Sequence, residues 1–332
     1  MTAFPVPLVC PRCHVRLRDA GERLACDACR RDYPVVLGIP DLRVEPDVWL
    51  DFAADRQKAA ELERQAEGED FAGTVRRYWA LTPDTPPHLA ERHIHHVLAA
   101  ASRSRDWLAH QGPRAAERSG PWLDAGCGTA DLAAAAPEGI RVVSCDVALR
   151  WLVVARKRLG EARRPALLVC CNAEHLPFPE AAFACVLALG LIEHVSQPAQ
   201  VLCEARRVLR RNGDLRLRTV NRYSVLSEPH VHVWGVGFIP RRLADRYVRW
   251  RSGQRYLHHH PLSAPEIRRL AAEAGFVDID VSAARAIDHD RSRLGAGVGR
   301  LAGLYNVLAR VPGVGVLVRG VAPALDVRAT AP

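Results

Sequence analysis

The segment Trp122-Leu123-Asp124-Ala125-Gly126-Cys127-Gly128-Thr129-Ala130-Asp131-Leu132 constrains this chain more than any other. An apolar run ends in an acid, two glycines follow one residue apart, and an Ala-rich stretch opens after them. That order predicts a strand feeding a tight turn into a helix. Glycine at such a turn lets a ligand touch the backbone, because no Cβ intervenes. The N–H groups of the helix start and the nearby carboxylate then face that ligand. A dinucleotide fingerprint, Gly-x-Gly-x-x-Gly, fails here because its third glycine position holds Asp131. The acid before the glycines would also repel a pyrophosphate, and it suits a ligand carrying a positive amino group.

With its neighbours, this segment resembles the first motif of class I S-adenosylmethionine (SAM)-dependent methyltransferases, roughly D-x-G-C-G-T-G, with Ala130 in place of the last glycine. Twenty residues past Gly126, the run Arg141-Val142-Val143-Ser144-Cys145-Asp146 reads as a strand ending in a carboxylate that can accept both hydroxyls of a ribose. Cys171-Asn172-Ala173-Glu174-His175-Leu176-Pro177-Phe178 is similar to the D-A-E-x-L-P-F segment of the ubiquinone/menaquinone-biosynthesis type of methyltransferase, with Asn172 where Asp is usual. An Asn still accepts from the adenine amino group through its side-chain oxygen. Glu204 to Gly213 resembles that family's E-x-x-R-V-L-(K/R)-P-G-G helix and turn. The resemblance implies a Rossmann-like, doubly wound α/β fold with a seven-stranded, mostly parallel sheet whose last strand runs antiparallel. It implies SAM as co-substrate, bound by Asp124, Gly126, Cys127, Gly128, Asp146, Val147, Asn172, Ala173 and Leu189.

A second signal lies at the N-terminus. Cys10-Pro11-Arg12-Cys13 and Cys26-Asp27-Ala28-Cys29 are paired C-x-x-C knuckles, and each pair can offer two thiolates to a tetrahedral Zn²⁺. About 40 residues cannot build a self-sufficient core, so a metal staple makes physical sense. Two disulfides and a redox pair are the alternatives. Tyr33 to Leu42 resembles the tail of a small zinc-ribbon family fused to, or partnering, methyltransferases, whose members activate tRNA and protein methyltransferases. A ribosomal-RNA guanine methyltransferase group also begins with a four-Cys ribbon. Residues 1–45 hold seven Arg against six acids, which favours a structural or docking module over an RNA grip.

The 332 residues suffice for one large α/β domain plus this module. The expected organisation is a ribbon at 1–45, a linker and helical extension at 46–118, and a methyltransferase domain at 119–332 with lid inserts at 221–260 and 290–320. No apolar run reaches the ~18 residues of a membrane span. The start of the chain lacks a basic region followed by an apolar core, and ten cysteines then suggest reduced thiols or metal, so the expected location is cytoplasmic. The net charge of +9 is carried almost wholly by Arg, since Lys58 and Lys157 are the only lysines. Beside the abundant Ala that looks like coding bias, so it is weak ground for nucleic-acid binding.

SAM's sulfonium makes its methyl a target for in-line displacement, and a hydroxyl acceptor also needs a base, usually His near neutral pH. His194 is the candidate, just beyond the fourth strand of the sheet, where open α/β sheets bind ligands. His230 and His232 in the first insert are rivals. Glu193-His194 resembles an acid–His pair that binds a divalent metal in one quinone O-methyltransferase branch, but Gly190 stands where that branch has a further Glu. His93, His95, His96 and the run His258-His259-His260 read as solvated. Leu301, Leu304, Tyr305 and Leu308 form an i, i+3, i+4, i+7 stripe that packs on the core or faces substrate. Three functions follow. The first is methylation of a small lipid-, quinone- or metabolite-like acceptor, with peripheral membrane contact. The second is methylation of RNA, gripped by the arginines of 241–255. The third is a SAM-binding protein without turnover. Gly190-Leu191-Ile192-Glu193 in place of N-P-P-[YF] disfavours the second, and intact cofactor motifs disfavour the third.

Overall fold

The computed structural model describes residues 4–44, 47, 49–83, 85–111, 120–257, 259–286 and 296–332. The expected boundaries at 45/46 and 118/119, the start of the second insert at 290–295, and His258 lie outside them. Contacts divide the chain into two compact units. One runs up to Val186 and takes in Arg207–Arg210; the other comprises Leu187–Arg206 and Arg211–Pro332.

The first unit opens with the ribbon, an antiparallel sheet of β1 (Arg18–Asp19), β2 (Arg23–Cys26), β3 (Arg31–Val36) and β4 (Ile39–Pro40). Four helices follow: α1 (Phe52–Gln65), α2 (Phe71–Ala80), α3 (Pro87–Leu98) and α4 (Ala100–His110). The starts of the first three are chemically marked. The Asp51 carboxylate accepts from the N–H groups of Ala53 and Ala54, that of Asp70 accepts from Gly73, and Pro87 sits where a helix has no N–H to lose. Then come β5 (Trp122–Ala125), α5 (Asp131–Ala135), β6 (Val142–Asp146), α6 (Leu149–Glu161) and β7 (Leu168–Cys170). β5, β6 and β7 pair in parallel, with Asp124 opposite Ser144 and Asp146 opposite Cys170. Both faces of these strands are buried, as expected where helices cover a parallel sheet.

The remaining strands are β8 (Phe183–Leu189), β9 (Leu209–Val220), β10 (Val277–Ala283) and β11 (Ala324–Thr330). The seven-stranded order is β10-β11-β9-β8-β5-β6-β7, with β11 antiparallel to both its neighbours. This is the doubly wound, mostly parallel sheet with an antiparallel last strand that the motifs imply. One boundary differs. Helix α7 (Pro198–Val208) ends before Leu209, so Leu209 to Gly213, expected as helix and turn, run as strand. Pairing decides this: the Asn212 N–H donates to Ala331 O, and the Ala331 N–H donates to Gly213 O.

In the second unit, the 221–260 insert builds its own small core. Val231, Val233, Val236, Ala244, Val248 and Tyr256 are buried together around α8 (Arg241–Ser252). Helix α9 (Ala264–Glu273) begins with the Ser263/Glu266 capping box. Helices α10 (Ala296–Leu308) and α11 (Val314–Val321) follow, the latter unmarked in the sequence reading. The Leu301 stripe does not pack on the core: Leu301 is 65% exposed and Leu304 53%.

The ribbon does not hang free of the first unit. The Val9 N–H donates to Pro177 O, the Leu42 N–H donates to Cys170 O, and Asp41 bridges in parallel to Cys170. It thus covers the β7 edge, whose open N–H and C=O groups would otherwise template aggregation. Behind it lies a buried ion network. The Arg43 guanidinium donates to both oxygens of Asp41 and to Asp55 and Val147 O, with all three ionic side chains sealed from solvent. Arg56 and Arg150 complete the pairing.

Candidate cofactor and metal sites

The motif turn is built by β5 and by the acid of β6. The Cys127 N–H donates to Cys145 O, which extends the parallel ladder past Ala125. The chain then folds back through Gly126 (φ 69°) and Gly128 (φ 50°), a left-handed conformation open to glycine. Ala130 also sits there, at φ 54°, where the family has its last glycine. The Gly128 N–H donates to one oxygen of Asp146 at 2.8 Å and the Ala148 N–H to the other at 2.8 Å. Asp146 therefore holds the turn as well as standing where a ribose acceptor is expected. A carboxylate has about four lone-pair positions, so capacity remains for hydroxyls.

Asp124 differs in kind. It is 2% exposed, and its Oδ2 has no hydrogen-bond partner among the described residues. Burial, with Asp131 and Asp146 nearby, raises its pKa well above the usual carboxylate range. A buried acid left without a partner is costly unless a cation or donor arrives. The ammonium end of an amino-acid ligand fits that need. Helices of the extension brace this site. The Ser104 hydroxyl donates to Asp131, and Arg158 donates to Thr129 Oγ1 and Val97 O while lying 4.1 Å over the Phe71 ring. None of these braces was legible as a motif.

Asn172 is tied to the segment after the ribbon. Its Oδ1 accepts from the Val44 N–H at 2.8 Å and its Nδ2 donates to Asp47 at 2.9 Å. The buried Ala173 follows it, and Val147 contributes its carbonyl to Arg43. Leu189, half-buried at the end of β8, belongs to the second unit.

In the ribbon, one sulfur from each of Cys10, Cys13, Cys26 and Cys29 lies within 4.8 Å of the others. Cys10 and Cys29 sulfurs are 4.0 Å apart, and those of Cys13 and Cys26 are 3.5 Å apart. Four thiolates on Zn²⁺ at about 2.3 Å stand about 3.8 Å from one another, so the set fits. None of the four is joined in a disulfide. The Cys29 N–H donates to Cys26 Sγ. Burial acts to raise the Cys10 thiol, but hydrogen bonds from Tyr33 and from the Arg12 and Cys13 backbone outweigh it and bring its pKa down to about 7.

His194 lies five residues past β8 in the second unit. Around it the structure gathers residues that the sequence reading left apart. His194, His230 and His259 each bring a ring nitrogen within 4.8 Å of the others. His259 was expected to be solvated with its neighbours; instead it is half-buried, because the 221–260 insert folds back on the segment after β8. His232, the rival base, is exposed and outside the group. His93, His95 and His96 are exposed, as expected.

Comparison with known proteins bears on these sites. A family model described as a methyltransferase domain matches residues 123–217. The chain is 30% identical over 210 residues to a ubiquinone/menaquinone biosynthesis C-methyltransferase of Bordetella avium, covering 60% of this chain and 81% of that protein. It is 28% identical over 162 residues to a ubiquinone biosynthesis O-methyltransferase of Idiomarina loihiensis, covering 48% of this chain and 63% of that protein. A 2-methoxy-6-polyprenyl-1,4-benzoquinol methylase of Leishmania donovani is 30% identical over 148 residues, 42% of this chain and 49% of that one. The chain thus spans about half to two thirds of the length of the latter two. Among solved structures, it is similar to a Haemonchus contortus phosphoethanolamine N-methyltransferase 2, at 18% identity and a TM-score of 0.47 over 70% of this chain and 52% of that one. The motif order, the sheet that carries it and the Bordetella relative together place this chain in the class I SAM-dependent methyltransferase family.

Proposed function

We propose that this protein transfers the methyl group of SAM to a small, largely apolar acceptor. The observation that carries the first half is the buried, unpartnered Asp124 oxygen beside the Gly126–Gly128 turn. Asp124 holds the cationic amino-acid end, the turn lets the ligand lie against backbone, and Asp146 takes the ribose while fixing the turn through Gly128. When bound, SAM supplies a methyl on a sulfonium, ready for in-line displacement. The ribbon holds Zn²⁺ through Cys10, Cys13, Cys26 and Cys29, and its place on the β7 edge makes it structural.

The acceptor class rests on the second unit. A cavity of about 600 Å³ is lined by Val225, Leu226, Leu301, Tyr305 and Val321, with Arg218 on its wall. Arg218 is paired bidentately with Asp326 at 2.7 Å, which offsets its charge, and Arg285 also lines the wall. A volume of this size takes a drug-sized or prenyl-like ligand. Exposed apolar side chains on α10 and α11, with Leu317 74% exposed, favour an acceptor drawn from lipid and a peripheral membrane contact. No helix among the described residues is long and apolar enough to cross a membrane.

The test is label transfer from tritiated SAM to a bacterial lipid extract and to total RNA. Label should enter the organic phase and fall at least about tenfold in Leu301→Asp, since a charge is put on an apolar wall. Label entering RNA instead, with binding that collapses between 50 and 200 mM salt and in Arg241→Glu/Arg242→Glu, overturns the acceptor assignment.

A further inference from the structure

The histidines around His194 have a geometry that base catalysis does not explain. The Nδ1 atoms of His194 and His259 are 3.2 Å apart. Two nitrogens bound tetrahedrally to one Zn²⁺ at 2.0–2.1 Å stand about 3.3 Å apart. His230 completes the group: its ring lies 4.7 Å from that of His194 and 4.2 Å from that of His259. The third imidazole is already held as a ligand would be. Glu228, 7% exposed, faces His230 Nδ1 at 2.5 Å and accepts from the backbone N–H groups of His230 and Val231. A carboxylate on Nδ1 sets the tautomer and puts the basic lone pair on Nε2, as partners of metal-bound histidines do.

We propose that His194, His230 and His259 form a second metal site, for a divalent transition metal such as Zn²⁺, separate from the ribbon. Imidazole suits such ions. Three protein ligands leave the fourth tetrahedral position to an oxygen ligand, as in catalytic rather than structural sites. Glu193 lies outside the group of converging ligand atoms, its carboxylate accepting instead from Thr219 Oγ1 and from the Val220 N–H. Space for the oxygen ligand adjoins His259, the member of the trio that lines it. His259 lines a cavity of about 70 Å³ with Tyr256, and the buried Tyr256 hydroxyl has no partner among the described residues, so it can donate to that oxygen. Glu193 and Glu228 add two buried carboxylates, which favour a cation. Arg222 and Arg241 line the same cavity, and Glu266 is paired with both.

One movement is required. The His230 and His259 rings are stacked at 11°, so their lone pairs lie in nearly parallel planes. A tilt of one of the two stacked rings is what brings both lone pairs onto one ion. The site stands whether or not the chain transfers methyl groups. If it does, the ion occupies the place expected for a free imidazole base.

The test is zinc content of the full-length protein after dialysis against micromolar Zn²⁺, with competition by a chromophoric chelator. The parent should hold two equivalents. His230→Ala and His259→Ala should each lose one, with circular dichroism unchanged. Cys26→Ser should lose the other and keep the histidine-bound ion, whose Co²⁺ form shows visible bands without thiolate charge transfer. Glu228→Gln, which keeps every ligand, should weaken the histidine-bound ion by about 10- to 100-fold. One equivalent in the parent, with content unchanged in both histidine variants and affinity unchanged in Glu228→Gln, overturns the proposal. The parent measurement requires no variant to fold.

Discussion

Asp124→Asn separates the two consequences of a buried acid. In the folded protein, burial and the nearby Asp131 and Asp146 raise the Asp124 pKa well above its ordinary value, whereas the unfolded chain titrates near 4. Between those two values, the folded state holds a proton that the unfolded state has released. Stability present below about pH 4 is therefore lost as pH rises through the raised pKa. Asn has the same shape and cannot ionise, so it removes that loss. The ligand-free variant should be more stable than the parent at pH 8, by a margin that shrinks toward pH 4. SAM binding should move the other way. A hydrogen bond to a charged group contributes about 1.5–3 kcal/mol, so trading the carboxylate that faces the ammonium for a neutral amide with one acceptor oxygen should weaken SAM by up to roughly 100-fold. Urea unfolding at pH 5 and pH 8 without ligand measures the first effect, and calorimetric titration with SAM the second. A variant that binds SAM as tightly as the parent refutes the placement of the cationic end. A variant with the parent's pH slope refutes the electrostatic reasoning.

Two further perturbations reach the N-terminal module. Cys26→Ser should remove one equivalent of zinc and expose the ribbon to proteolysis, because about 40 residues lack a core of their own; a ribbon that stays folded and protease-resistant without metal would contradict the structural role. Arg43→Leu leaves Asp41 and Asp55 buried with less compensation, which should cost about 3–5 kcal/mol in urea unfolding; a loss below about 1 kcal/mol would show that Arg56 and Arg150 suffice.

The sequence by itself determined the parts whose chemistry is local. Asp124 to Asp131 read as strand, turn and helix because a run of about ten residues carries the apolar stretch, the acid and the two glycines. The strand near Asp146 and the paired Cys knuckles were legible for the same reason. Even Ala130 marked a departure that the backbone bears out, since it takes the left-handed conformation that the family gives to glycine. Tertiary structure decided what those residues touch. Asp146 binds the Gly128 N–H 18 positions away, and Asn172 is held by Val44 and Asp47, 128 and 125 positions away. His194 meets His259 across 65 positions, though spacing alone had left the 258–260 run in solvent. Asn212 and Gly213 were a turn by motif and became strand because Ala331, just past β11, offered a partner. Local pattern records which face of a segment is apolar and where its backbone turns. It does not record which distant segment folds back upon it, and in this chain those returns bring together the three histidines and the buried ions that hold the ribbon on its sheet edge.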